Sequence, residues 1–193
     1  RTSRFNDFFN THTDIYELGL QVFNDSVMAH FDQEWYTRFY GTPPAEQFRI
    51  IIGFTNGPCN YGPSRKLTGQ PKEVFAIMNY AVDDNERPIF YKKVVETVVH
   101  EFCHSFTKIK GDTEKALEKS GKALQEYTYF SMRRQAYSTW RNILEESLVR
   151  AATICYLIDH DYDEKDIRNA IIEQVDRNFF WMPELVQTLR YYE

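Results

Sequence analysis

Apolar residues recur every three or four positions through most of this chain and give way to continuous β-branched runs only in its first half. Between residues 13 and 40, Ile15, Leu18, Leu20, Val22, Phe23, Val27, Met28 and Phe31 stand at mixed helical spacing. They predict one or two helices, ended by the turn signal GTPP at 41–44. FRIIIGF, from residue 48, predicts a strand, and EVFAIMNYAV, 73–82, predicts a second. NGPCNYGPSRKLTG, 56–69, predicts a Gly/Pro/Asn-rich loop between them, and DDNERP predicts a turn. From about residue 90 the pattern is helical over 90–108, 112–126, 129–158, 163–178 and 183–192. Breaks are expected at Gly111 and near Gly121, and Pro183 suits a first helical turn. A small sheet over about 47–82 followed by a helical run predicts an α+β fold. No internal repeat and no Pro/Gly/Ser linker divides the chain, so one domain over 1–193 is expected.

Composition narrows the function classes. The 193 residues are 42% hydrophobic and 26% charged, a globular balance with enough apolar surface for a core. Net charge is −5 with the signs interspersed, and no basic stripe appears, so a nucleic-acid partner is not expected. No apolar run approaches the roughly 20 residues of a spanning helix, and no membrane-spanning segment is expected. The start RTSRFNDFF lacks both Met and an apolar run, and reads as a processed or excised segment. Cys59, Cys103 and Cys155 are an odd set, too few for a disulfide framework.

One segment, VVETVVHEFCHSFTK at 94–108, changes the picture. With 5 His and 16 Glu among 193 residues, H-E-x-x-H arises by chance with a probability of about 1%. On a helical wheel Val95, Val98, Val99, Phe102, Phe106 and Ile109 gather on one side. His100, Glu101 and His104 fall on the other, with Thr97 and Lys108. The helix would pack its apolar back on the core and present two imidazoles one turn apart, neighbours at i and i+4. Two neutral imidazoles suit Zn²⁺, and Glu101 beside them is placed to take a proton from water. Cys103 sits toward the apolar side and is expected to be a small buried residue, not a ligand. A polar face that happens to carry two histidines is the plainer alternative.

A catalytic zinc needs a third protein ligand and an open position. After His104 come SFTKIKGDT, without the Gly and His of an HExxHxxGxxH extension, so a carboxylate further on must serve. The helical segment WRNILEESLVRAATICYL, 140–157, carries two adjacent acids, Glu145 and Glu146, beside a stripe of Leu144, Leu148, Ala151, Ala152 and Cys155. Adjacent helix positions are turned by about 100°, so both acids cannot face one metal, and the wheel alone does not choose.

HEFCHSF, the NYG of the upstream loop and MRRQAYSTWRNILEESLVRA together resemble an uncharacterised family of bacterial gluzincin-like domains, over about residues 30–158. The resemblance implies a zincin-like fold and zinc-dependent peptide-bond hydrolysis. Its ligands would be His100, His104 and Glu146, with Glu101 as general base. In such patterns Asn often precedes the ligand Glu, whereas Glu145 precedes it here. The resemblance further implies an extracellular or cell-envelope location. Tyr137, inside the resembling segment, is the first candidate to stabilise the oxyanion, followed by Arg150, His160 and Tyr156. In zincin architectures a sheet edge borders the cleft and pairs with extended substrate. That role falls to VFAIMNYAV, with NGPCNYGPS as a second border. The aromatic-rich stretch 163–189 reads as core closing over the 140–157 helix. The rival function is a zincin-fold binding or structural domain without turnover, against which the intact Glu101 argues.

Overall fold

The computed structural model describes residues 4–55, 57 and 60–192, so Cys59 lies outside the described residues. The fold is mixed α+β, as the hydrophobic pattern predicts. Its elements run α1 (Phe5–Thr11), α2 (Thr13–Ser26), α3 (Trp35–Tyr40), β1 (Gln47–Ile52), β2 (Ser64–Arg65), β3 (Glu73–Met78), β4 (Ala81–Val82), β5 (Pro88–Ile89), α4 (Val94–Cys103), α5 (Gly111–Tyr127), α6 (Tyr129–Arg134), α7 (Trp140–Asp159), α8 (Glu164–Asp176) and α9 (Met182–Tyr192). Among the described residues no helix is long and apolar enough to cross a membrane. By internal contacts the chain divides into two compact units, residues 1–33 with 45–101 and residues 34–44 with 102–193.

The first unit holds both sheets. β1 and β3 pair in parallel, Gln47 opposite Glu73 through to Ile52 opposite Met78. On the other side of β3, β2 pairs antiparallel, and Tyr61 forms a bridge with Ile77. The strand order β1-β3-β2 therefore makes β3 the central strand, which corrects the expectation that VFAIMNYAV offers an edge to substrate. Both rows of its ladder groups are used within the sheet, and it is the strand most completely buried. The predicted 73–82 strand also splits. The Asn79 N–H turns to the Asn60 side chain, 2.8 Å, and β4 then joins β5 in a hairpin around Asp83–Arg87.

One carboxylate ties the three strands of the larger sheet together. Glu73 on β3 accepts from Arg49 on β1 at 2.7 Å and from Arg65 on β2 at 2.6 Å. The hydrogen bonds from Arg65 and then Arg49 hold the Glu73 carboxyl below its ordinary value of 4.5. A carboxyl depressed on folding contributes stability that is present above its unfolded value and is lost as pH falls through the folded one. Glu73→Gln is therefore expected to lower the melting temperature at pH 7, with the gap to wild type closing on acidification below about pH 4. A gap of constant size from pH 7 down to pH 2.5 would overturn this role for the cluster.

The second unit is built around α7, against which α5, α8 and α9 pack. From Val149 to Leu157 nearly every residue of α7 is buried, so the helix is enclosed and not merely striped. Gly121 is no break: it lies buried inside α5, where an added Cβ would come 2.5 Å from the Trp140 ring. The missing side chain lets α5 approach α7 closely. The predicted 129–158 helix is interrupted between α6 and α7. Ala136 takes a left-handed φ of 67°, and the Thr139 side chain caps α7 by accepting from the Asn142 N–H. Phe179, Met182 and Val186 are buried, in keeping with a core role for the end of the C-terminal stretch, whereas α8 has no buried residue, which corrects that expectation for its part.

Candidate metal centre

Helix α4 is shorter than its sequence pattern, Val94–Cys103 instead of 90–108. Its end is decided by packing. Phe106 is drawn into an aromatic cluster, stacked on Tyr40 at 4.3 Å and Tyr36 at 5.6 Å, and the backbone tightens into three-residue turns at 102–106. Val95, Val98, Val99, Phe102 and Cys103 are buried, while His100, Glu101 and His104 are half-buried. The two compact units meet in sequence inside this helix, between Glu101 and Phe102, and the helix itself is continuous there. His100 lies in the last turn of α4 and His104 is the first residue beyond it. Burial pushes the Cys103 thiol up to about 12, so it is an inert core residue with no thiolate to offer a metal.

His100, His104 and Glu146 each bring one ligand atom into a group whose members all lie within 4.8 Å of one another. His104 Nε2 stands 3.7 Å from Glu146 Oε2. Two ligands at ordinary zinc distances and a tetrahedral angle stand about 3.4 Å apart, so this spacing fits an ion between them with little movement. Burial, opposed in part by the Glu146 charge, lowers the His104 pKa below 6.5. The ring is therefore neutral at pH 7, the form that ligates a metal. The donor set of two imidazoles and one carboxylate suits zinc and supplies three ligands, one fewer than a closed structural site.

The two adjacent acids have separate fates. Glu146 is 7% exposed and points inward, its Oε1 2.8 Å from the guanidinium of Arg150 one turn on. Glu145 turns toward the residues that follow α4, accepting from Lys108 Nζ and from the Ile109 N–H, each at 3.0 Å. It fastens the exit of the histidine-bearing segment to α7. Arg150 also donates to the Tyr137 hydroxyl at 3.1 Å and to Gln174 on α8, and its guanidinium lies 4.9 Å over the Phe179 ring. Burial first, then the Glu146 charge, raises the Tyr137 hydroxyl above its ordinary value, so it stays protonated.

Tyr137 and Arg150 thus stand at Glu146, whereas Tyr156 and His160 do not. Ten helical residues separate Tyr156 from Glu146, a rise of about 15 Å. Tyr156 and His160 stack on each other at 3.9 Å beside Trp35, and their part is packing. Sequence reasoning missed three contributors. Gln174 and Phe179 come from beyond α7 to hold Arg150, and no spacing in the sequence announces them. Gly62, in the NYG segment, passes so close to Glu101 that an added Cβ would stand 2.0 Å from Glu101 Oε2. Only the quoted NYG hinted at a special backbone there.

A family model described as Domain of unknown function (DUF4932) matches residues 1–193. The chain belongs to this family. No curated protein and no solved structure matches the chain.

Proposed function

We propose that this DUF4932 domain is a zinc-dependent hydrolase of peptide bonds, of the gluzincin type. The observation that carries the reading is the grouping of His100, His104 and Glu146 within 4.8 Å, two ligands from one HExxH segment and one from a separate helix. Zinc held there would polarise a carbonyl and acidify water. Glu101, next to His100 on the polar side of α4, would be the general base that takes the proton from the attacking water and passes it to the leaving amine. Tyr137 would donate to the developing oxyanion. Its oxygen accepts from Arg150 and its hydroxyl also hydrogen-bonds Glu146, so the proton would have to turn from that carboxylate to the oxyanion. Segment 60–65, bonded to β3 on one side and passing Glu101 at Gly62, would offer its outer edge to extended substrate backbone.

The test joins metal content to turnover. Purified protein is expected to carry about one zinc per chain by elemental analysis. It is expected to cleave members of a mixed peptide library, to stop when a chelator is added, and to resume with added zinc. Absence of zinc in protein purified without chelator would overturn the reading. Full zinc with no cleavage anywhere in a broad library would leave a metal-holding binding domain.

A further inference from the structure

A carboxylate can give a metal one oxygen or two, and the choice sets how many coordination positions are left for water and substrate. At Glu146 the two oxygens face different partners. Oε2 looks toward His104 Nε2, 3.7 Å away, while Oε1 is 2.8 Å from Arg150 Nη2. Arg150 cannot follow Oε1 if it moves. The same Nη2 donates to the Tyr137 hydroxyl at 3.1 Å, Nη1 donates to Gln174, and the guanidinium plane rests on Phe179. With side chains 11% and 8% exposed, the Arg150–Glu146 pair has little water to replace a lost partner. Rotating Oε1 away would strand a buried cation and its donors, which is strongly unfavourable.

We infer that Arg150 restricts Glu146 to one-oxygen ligation through Oε2, and by doing so keeps the fourth coordination position of the metal open. This rests on the metal reading above and extends it to how the ligand is presented. Arg150 touches a ligand and not the substrate, so it is a positioning residue. Gln174 and Phe179 complete the device by fixing the guanidinium where a lysine could not be held in the same way.

The test uses Co²⁺ as the probe on the full chain, because four-coordinate cobalt absorbs visible light several-fold more strongly than five-coordinate cobalt. Wild type is expected to give the intense spectrum. Arg150→Met releases Oε1, and its spectrum is expected to weaken several-fold as both carboxylate oxygens bind. Arg150→Lys, which keeps the charge, is expected to fall between the two. A spectrum for Arg150→Met identical to wild type in shape and intensity would overturn the inference. Should that variant not fold, a crystal structure of the zinc-loaded wild type decides: Oε2 alone on zinc with Oε1 on Arg150 supports it, and two equal Glu146 oxygen–zinc distances overturn it. Failure of wild type to take up cobalt or zinc at all would instead bring down the metal reading itself.

Discussion

Glu101→Gln is expected to hold zinc as wild type does and to lose hydrolysis by about 10²- to 10⁴-fold, the range for removing a general base. Glutamine matches glutamate in size and keeps one acceptor oxygen, so α4 and its buried valines are undisturbed. What disappears is the capacity to accept a proton. Gly62 provides a second route to the same carboxylate. A methyl at that position would stand 2.0 Å from Glu101 Oε2, so Gly62→Ala must displace either the carboxylate or the 60–65 segment. It is expected to reduce kcat with zinc content unchanged, and pairing it with Glu101→Gln should add little further loss, since both act on one group. Equal cleavage by wild type and Glu101→Gln would remove Glu101 from the mechanism. Zinc loss in Glu101→Gln would show the residue acting as a ligand.

The second large effect separates the adjacent acids. Glu146→Ala is expected to weaken zinc binding well beyond the 10- to 100-fold typical of outer-shell changes, because a ligand atom is lost. It also leaves Arg150 buried without its carboxylate, at a cost to stability of about 3–5 kcal/mol. Glu146→Gln, which leaves Arg150 an acceptor, distinguishes the two consequences: its fold is expected to survive while its zinc affinity still falls. Glu145→Ala removes the tether to Lys108 and the Ile109 N–H and is expected to cost about 2 kcal/mol of stability. Its zinc affinity is expected to stay within about 10-fold of wild type. Titration of the variants against a competing chelator measures this directly. Metal lost from the Glu145 variant and kept by the Glu146 variants would move the third ligand by one residue.

What the sequence determined by itself is what depends on neighbours a few positions apart. A period of 3.6 puts His100 and His104 on one side of the expected helix and the valines on the other from neighbours alone, although α4 itself ends one residue before His104. The β-branched runs and the long helical periodicity likewise carry the α+β class. The tertiary structure decided what depends on contacts distant in the chain. β3 is central because β2 returns to pair with it, and strand order has no local signature. Helix α4 stops at Cys103 because Phe106 packs on Tyr36 and Tyr40, a gain that outweighs continued helical hydrogen bonds. Two neighbouring glutamates look alike in a sequence. The rotation of α7, set by burial on α5, α8 and α9, turns Glu146 to the histidines and Arg150, and Glu145 to the segment leaving α4.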